Sequence, residues 1–201
     1  MITILDYSVN NLRSVQKAFE HLGHKTRVTS DAGEVARADK LVLPGVGAFG
    51  HAMKNLRERE LVEPVTEAVS QGKYVLGVCL GMQLLFDWSE ELGLHQGLGI
   101  ISGKVLKFPP LPDLKVPHMG WSRLDFPHPS RLFGGLGNGD MTYFVHSYHV
   151  VPEDENVIVA RGHHGIPFVA GVERENVMGA QFHPEKSSAV GLKILDNFGR
   201  L

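Results

Sequence analysis

The sequence contains a single cysteine, so the chain cannot form an internal disulfide bond. It also has no apolar run of about 20 residues, the length needed to cross a bilayer. Residues 1–6 lack the basic and long apolar segments of a signal peptide. The 20 lysines and arginines nearly balance the 22 acidic residues, which gives no electrostatic basis for binding nucleic acid or an anionic membrane. These absences predict a cytoplasmic protein whose partners include neither nucleic acid nor a membrane.

The composition is that of an ordinary globular protein, with 43% hydrophobic and 21% charged residues. A length of 201 residues suffices for one domain with a substantial core. No internal repeat, low-complexity segment or linker divides the chain. We therefore expect a single domain that spans residues 1–201.

Strand-like and helix-like segments alternate over the first 90 residues. The predicted strands are 2–5, 25–29, 41–43 and 74–78, and the predicted helices are 11–22, 50–71 with a break near Pro64, and 80–88. Such alternation is typical of a largely parallel sheet with helices on both faces.

The pattern changes to strands and turns after about residue 98. The predicted strands are 105–108, 143–151, 157–160, 168–173 and 177–182, with Glu175-Asn176 as a hairpin turn between the last two. Residues 109–140 are rich in proline and glycine and are predicted to be loops, and 187–201 has helical spacing. We therefore expect an α/β fold with an added antiparallel portion.

The cysteine lies in the segment Gly77-Val78-Cys79-Leu80-Gly81, where a predicted strand passes into a helix. A nucleophile on such a sharp turn needs small neighbours two positions away on each side, and both positions are glycine. The helix N-terminus favours a thiolate, and the Leu80 N–H would point at the oxyanion of a tetrahedral intermediate. A buried structural cysteine is the alternative.

A base and its orienting carboxylate occur together in Gln181-Phe182-His183-Pro184-Glu185. In extended backbone, residues i and i+2 project to the same side, so Glu185 can reach the imidazole of His183 and leave its other nitrogen for a thiol. Pro184 favours an extended conformation at His183. Taken alone, a His-x-Glu pair could equally be a surface pair.

Residues 77–86 and 181–187 resemble the two signatures of the class I, triad-type glutamine amidotransferases. Pro44-Gly45-Val46-Gly47 is similar to the oxyanion strand of that family; from its residues alone it is a glycine-rich turn or a weak phosphate loop. The resemblance implies a flavodoxin-like fold and a catalytic triad of Cys79, His183 and Glu185. It implies that Leu80 with Val46 or Gly47 binds the oxyanion. It also implies that L-glutamine is held by Gln83, Glu91, Gly45 and Ser147. Nothing in the sequence requires a metal or an organic cofactor.

Further stretches resemble the glutaminase subunits of imidazole glycerol phosphate synthases in histidine biosynthesis. They are Asp6-Tyr7 with residues 11–15, and residues 44–50, 116–121 and 143–148. The resemblance implies a (β/α)₈-barrel cyclase partner that uses the ammonia to make imidazole glycerol phosphate and aminoimidazole carboxamide ribotide. We expect the partner interface and its coupling to the site to involve Asn11, Tyr143, the loop around His118 to Trp121, and Lys186. Lys186 could equally be a solvated surface lysine.

The first turn and a set of histidines carry weaker signals. The family usually has glycines where this chain has Ser8-Val9-Asn10, and Asn10 is expected to keep the turn because asparagine tolerates a positive φ. His163-His164 is not expected to bind a metal, because adjacent residues in extended backbone point to opposite sides. His118, His146 and Trp121 could also be packing residues.

Three other functions remain open on the sequence. The chain could supply ammonia to another synthase, such as one making anthranilate, aminodeoxychorismate or pyridoxal phosphate. It could be a cysteine peptidase or a γ-glutamyl hydrolase, which a comparison of glutamine and peptide turnover would distinguish. It could also be an inactive binding protein that kept the fold, although the intact Cys79, His183 and Glu185 argue against this.

Overall fold

The computed structural model describes residues 1–111 and 114–201. Its centre is a seven-stranded sheet of order β11-β12-β13-β4-β3-β1-β2. The strands are β1 Ile2–Leu5, β2 Thr26–Thr29, β3 Lys40–Leu43, β4 Tyr74–Val78, β11 Ile158–His164, β12 Ile166–Arg174 and β13 Val177–Ala180. The strands from β13 to β2 are parallel, whereas β12 runs antiparallel to both β11 and β13. The predicted α/β class is confirmed.

Helices cover both faces of this sheet, as the alternation predicted. They are α1 Leu12–His21, α2 Ala32–Ala36, α3 Phe49–Glu58, α4 Val62–Ser70, α5 Leu80–Leu84 and α6 Ser188–Arg200. Successive strand residues enter opposite clusters: Ile4 packs with Val15 of α1 and Ile194 of α6, whereas Leu5 packs with the apolar side of α2, α3 and α4. Among the described residues, no helix is long and apolar enough to cross a membrane.

Two smaller sheets are added to the central one, and their strand pairs are antiparallel except for the parallel pair of β5 with β7. One has the order β10-β7-β5-β6, and the other pairs β8 with β9. These strands are β5 Phe86–Ser89, β6 His95–Gln96, β7 Ile101–Lys107, β8 His118–Arg123, β9 Met141–His146 and β10 Tyr148–Pro152. The predicted strand 143–151 is interrupted at Ser147, where the chain leaves β8 and pairs with β7. This interruption places Ser147 at the edge of the main cavity.

Several predicted boundaries were wrong. The helix expected over 80–88 ends at Leu84, because residues from Phe86 onward pair with β7. The break in helix 50–71 lies at Glu60, with φ 55°, and Pro64 sits in the first turn of α4, where its missing N–H costs little. Residues 109–140 include β8 rather than loops alone, and residues 112 and 113 of this prediction lie outside the described part.

The first strand-to-helix turn differs from the expectation for Asn10. The residues with positive φ are Ser8 at 61° and Asn11 at 78°. Hydrogen bonds fix this turn from two sides, because the Ser8 N–H donates to Asp6 and Arg59 donates to the Ser8 hydroxyl. Asparagine therefore does supply a left-handed residue, but one position later than predicted.

Candidate active site

Cys79 occupies a sharp turn between the end of β4 and the start of α5. Its backbone has φ 54° and ψ −108°, a rare conformation for a residue with a side chain. A Cβ on Gly77 would lie 2.7 Å from the backbone of Gly81, and one on Gly81 would lie 1.7 Å from the carbonyl oxygen of Leu43. Close packing therefore requires both flanking glycines. The turn places the thiol at the carboxyl edge of the parallel strands, as expected for a nucleophile elbow.

His183 reaches the same edge from the turn after β13. Its Nδ1 lies 2.8 Å from Oε1 of Glu185, and the two side chains are only 1% and 0% exposed. Burial disfavours the charged ring, but the side chains of Cys79 and Glu185 outweigh it and raise the pKa of His183 to about 10. Nε2 is buried and has no hydrogen bond of standard geometry in the resting structure. Cys79 nevertheless raises the pKa of the ring, both as a side-chain hydrogen-bond partner and through its charge.

The backbone that joins His183 to Glu185 is not extended as predicted. Pro184–Lys186 form a single 3-10 turn, and only His183 itself has extended dihedral angles. The side chains of His183 and Glu185 nevertheless meet, because His183 lies outside the turn in extended conformation and Glu185 lies within it. Ser187 secures the turn by donating its hydroxyl hydrogen to the His183 carbonyl at 2.7 Å.

Asn11 makes a contact with Glu185 that the sequence did not reveal. Its side-chain Nδ2 donates to Oε1 of Glu185 at 2.5 Å, the same oxygen that contacts His183. Oε2 of Glu185 is buried without a hydrogen-bond partner. Asn11 was expected at a partner interface, and its 174-residue separation from Glu185 left no local signal of this contact.

A cavity of about 280 Å³ opens beside the Cys79 thiol. Most of the residues predicted to bind the substrate or its oxyanion line this cavity. The segment where β9 passes into β10 at Ser147 lines it as well. Its lining consists of Val46, Gly47, Cys79, Leu80, Gln83, Glu91, Pro117, Val145, His146, Ser147 and Tyr148. Gly45, which was also predicted to bind the substrate, is not among the lining residues.

The predicted oxyanion donors are not both free. The Leu80 N–H points to the carbonyl oxygen of Gly45 at 3.4 Å. The peptide between Gly45 and Val46 therefore turns its carbonyl, and not its N–H, toward the cavity. A Cβ on Gly45 would lie 2.6 Å from the Tyr7 hydroxyl, which donates to the Pro44 carbonyl at 2.5 Å. Glycine is thus required at position 45 by close packing.

Gln83 and Glu91 present polar groups to the cavity. Nε2 of Gln83 donates to the Tyr148 carbonyl at 3.0 Å, and Oε2 of Glu91 accepts from the Phe49 N–H at 2.6 Å. The carboxylate thus lies at the N-terminus of α3, where the helix dipole stabilises a negative charge. These two side chains supply an amide and a negative charge, which suit the polar end of an amino acid.

The residues predicted to contact a partner separate into two groups. Trp121 is 47% exposed, Tyr143 is half-buried and Lys186 is exposed, so these three are available to a partner. His118 is only 4% exposed and lies on β8, so the loop predicted around it is wrong. Side chains alternate along β8, so His118 faces inward while Met119 faces solvent. A role of His118 in coupling to a partner stays a prediction.

His118 belongs to a buried histidine pair. Its Nδ1 lies 3.1 Å from Nε2 of His146, and burial lowers the pKa of His118 to about 4 and that of His146 to about 3. Both rings are therefore neutral at physiological pH. Within residues 1–111 and 114–201, no group of three or more histidine, cysteine or acidic side chains is arranged to bind a metal.

Comparison with known proteins identifies the family. The chain matches the class-I glutamine amidotransferase family over residues 3–200. A protein of Syntrophotalea carbinolica called imidazole glycerol phosphate synthase subunit HisH is 55% identical, with 99% of each chain covered. The protein of that name from Aquifex aeolicus is 52% identical, over 98% of this chain and 95% of the relative.

Solved structures agree on the fold. A crystal structure described as a glutamine amidotransferase superposes with a TM-score of 0.76 at 20% identity, over 98% of both chains. A chain in the structure of PurLQS from Thermotoga maritima superposes with a TM-score of 0.74 at 18% identity, over 98% of this chain and 96% of its own. The chain therefore belongs to the class-I glutamine amidotransferases and, within them, to the HisH glutaminase subunits of imidazole glycerol phosphate synthase.

Proposed function

We propose that the chain hydrolyses L-glutamine to glutamate and ammonia with a triad of Cys79, His183 and Glu185. The observation that carries the proposal is the placement of His183: one ring nitrogen contacts Glu185, and the ring is electrostatically coupled to the thiol that borders the cavity. In the first step, His183 takes the thiol proton and the sulfur attacks the side-chain amide carbon of glutamine.

The later steps follow from the same groups. The tetrahedral oxyanion accepts hydrogen bonds from the Leu80 N–H and from an N–H of Val46 or Gly47. The imidazolium then protonates the amide nitrogen of the tetrahedral intermediate. The C–N bond breaks, ammonia departs, and a γ-glutamyl thioester remains on Cys79. Water activated by His183 hydrolyses that thioester and restores the thiol. Gln83, Glu91 and the backbone at Gly45 and Ser147 hold the amino-acid end of the substrate. No step requires a metal or an organic cofactor.

The ammonia has a destination outside this chain. The relatives are named as subunits of imidazole glycerol phosphate synthase, so another subunit must carry the remaining chemistry. We propose a (β/α)₈-barrel cyclase that incorporates the ammonia into imidazole glycerol phosphate and releases aminoimidazole carboxamide ribotide. Exposed apolar side chains on the β8–β9 sheet, Met119, Trp121 and Met141, suit a protein partner rather than solvent.

Co-elution with the cyclase tests the partnership. Mixed at micromolar concentration, the two chains should elute from a size-exclusion column as one heterodimer. Trp121→Glu should weaken this complex by at least about tenfold, because it puts a charge into the centre of an apolar contact. Leu111→Glu, also at an exposed apolar residue but outside these two strands, is the matched control. Separate elution over a wide concentration range would contradict the partnership.

Removing Asn11 should impair glutamine hydrolysis without disturbing the fold. Asn11→Ala deletes a donor to the Glu185 carboxylate, and a hydrogen bond to a charged group contributes roughly 1.5–3 kcal/mol. We expect kcat to fall about tenfold, less than in Glu185→Ala, while KM for glutamine changes little. Asn10→Ala on the exposed neighbour is the control. The measurement is steady-state glutaminase kinetics of the complete two-subunit complex. A kcat of Asn11→Ala equal to those of Asn10→Ala and the wild type would contradict this role.

A further inference from the structure

Gln181 contacts the reactive sulfur but has no part in the steps above. Its side chain is fully buried, and its Nε2 donates toward Sγ of Cys79 at 3.8 Å. It follows β13 directly and lies two residues before His183, so one short segment supplies two groups that face the thiol. Burying a side-chain amide costs free energy unless its N–H and C=O groups form hydrogen bonds. The hydrogen-bond partners of the Gln181 amide therefore determine its orientation.

The orientation of the Gln181 amide is set by its neighbour Gln83. Oε1 of Gln181 accepts a hydrogen bond from Nε2 of Gln83 at 3.1 Å. The same Nε2 donates its second hydrogen to the backbone carbonyl of Tyr148 at 3.0 Å. A carbonyl can only accept, so Gln83 must direct its NH2 group, and not its oxygen, toward Tyr148. Gln181 must then direct its oxygen toward Gln83.

The carbonyl at the end of this chain of hydrogen bonds is itself held in place. Tyr148 begins β10, and its carbonyl also accepts from Nδ1 of His146 at 2.8 Å. Two donors therefore converge on one oxygen. Rotating the Gln181 amide by half a turn would bring its NH2 group against the NH2 group of Gln83. The hydrogen-bond pattern thus leaves Gln181 one orientation, in which an N–H faces the sulfur.

We propose that Gln181 is a further catalytic residue, whose amide N–H stabilises the negative charge on the Cys79 sulfur. This inference rests on the proposed role of Cys79 as the nucleophile. The S–H proton moves to Nε2 of His183, and the electron pair that remains on sulfur accepts the N–H of Gln181. Because hydrogen bonds to ionised acceptors are stronger than those to neutral ones, the contact favours the thiolate over the thiol. Gln83, acting through Gln181, is a positioning residue for this charge.

The pH dependence of Cys79 alkylation tests the proposal. Cys79 is the chain's only cysteine, so the rate of reaction of the full chain with iodoacetamide reports one thiolate. In Gln181→Leu we expect the pH at half-maximal rate to rise by about one unit, as for the loss of a hydrogen bond to a charged group. Gln181→Glu, of nearly the same shape, should shift it further because a carboxylate repels the thiolate. Gln71→Leu, at an exposed position on α4's C-terminal end, should not shift it.

A midpoint in folded Gln181→Leu and Gln181→Glu equal to that of the wild type would overturn the proposal. If neither variant folds, the wild-type protein decides the question by NMR. The side-chain N–H resonance of Gln181 should move with pH at the alkylation midpoint, and should not do so in Cys79→Ser; a constant wild-type resonance would also overturn the proposal. Either of these negative results would leave the proposed triad standing. Full glutamine turnover in Cys79→Ser would instead contradict the proposed function itself.

Discussion

Cys79→Ser and Cys79→Ala should both reduce glutamine turnover to below a few per cent of the wild-type rate. Removing one member of a catalytic triad typically costs several orders of magnitude in kcat, because the members act as a unit. Serine keeps the size of the side chain but lacks a reactive thiolate at neutral pH. The measurement is glutamate formation by the complete two-subunit complex under saturating glutamine. Turnover above a few per cent would remove Cys79 from the role of nucleophile.

The same variants should fold normally and still bind the partner. The Cys79 side chain is small and makes no hydrogen bond as a donor, so serine should shift the melting temperature by only a few degrees. His183→Asn should be nearly as inactive as Cys79→Ser, and the double variant no worse than either single one. If the loss of transition-state stabilisation in the double variant equals the sum of the losses in the two single variants, the two residues act independently.

The cyclase carrying its nucleotide ligand should raise kcat for glutamine roughly a hundredfold over that of the isolated chain. In the structure the Leu80 N–H points to the Gly45 carbonyl, so this N–H is not free to bind the oxyanion of the intermediate. Rotation of the peptide between Gly45 and Val46 would remove that carbonyl and present the Val46 N–H. One oxyanion donor is worth about 2.7–4 kcal/mol of transition-state stabilisation, which corresponds to about 10²–10³ in rate.

A peptide with two orientations can respond to a partner only through contacts that differ between them. Glycine at position 45 lets the peptide rotate, and Gly47, with φ 117°, already occupies a conformation that suits glycine alone. Lys186 is exposed and lies directly after Glu185, so a partner that contacts Lys186 can affect the position of Glu185. Such coupling also makes chemical sense, because ammonia released without an acceptor is protonated near neutral pH and lost as a nucleophile.

Steady-state kinetics decide this second prediction. The values of kcat should be compared for the chain alone, the chain with cyclase, and the chain with cyclase and nucleotide ligand. Lys186→Ala should lower the stimulated rate while leaving the basal rate of the isolated chain within about twofold. Three wild-type kcat values that agree within a factor of about two, equivalent to roughly 0.4 kcal/mol, would exclude gating even if the triad stands.

The parts of the site that were predictable are those set by neighbours in the chain. The need for small residues around Cys79 is a matter of local sterics, so Gly77 and Gly81 indicated the turn before the structure did. The same holds for the pairing of His183 with Glu185, two residues away. Helical spacing likewise predicted α1 and α6, and alternation with strands predicted the parallel sheet.

The errors in strand assignment and in the environment of side chains occurred where partners from elsewhere in the chain decide the conformation. Residues 86–89 were predicted to continue a helix, but they form a strand because β7 offers them hydrogen bonds. His118 was predicted to lie on a loop, but it lies on β8, which turns it inward against His146. Neither strand pairing nor burial can be deduced from a short window of sequence, since both depend on segments that are distant along the chain.

By itself, the sequence determined the family of the protein. Its local patterns were a cysteine on a glycine-flanked turn, a histidine followed by its carboxylate, and a glycine-rich segment that resembles the oxyanion strand of the family. Only the tertiary structure decided how these groups are supported. Asn11 reaches Glu185 across 174 residues, and Gln181 reaches Cys79 across 102. The physical reason is that the sequence sets only which groups are neighbours along the backbone. Packing of the sheet and its helices excludes water and decides which distant donors and acceptors must form hydrogen bonds with one another.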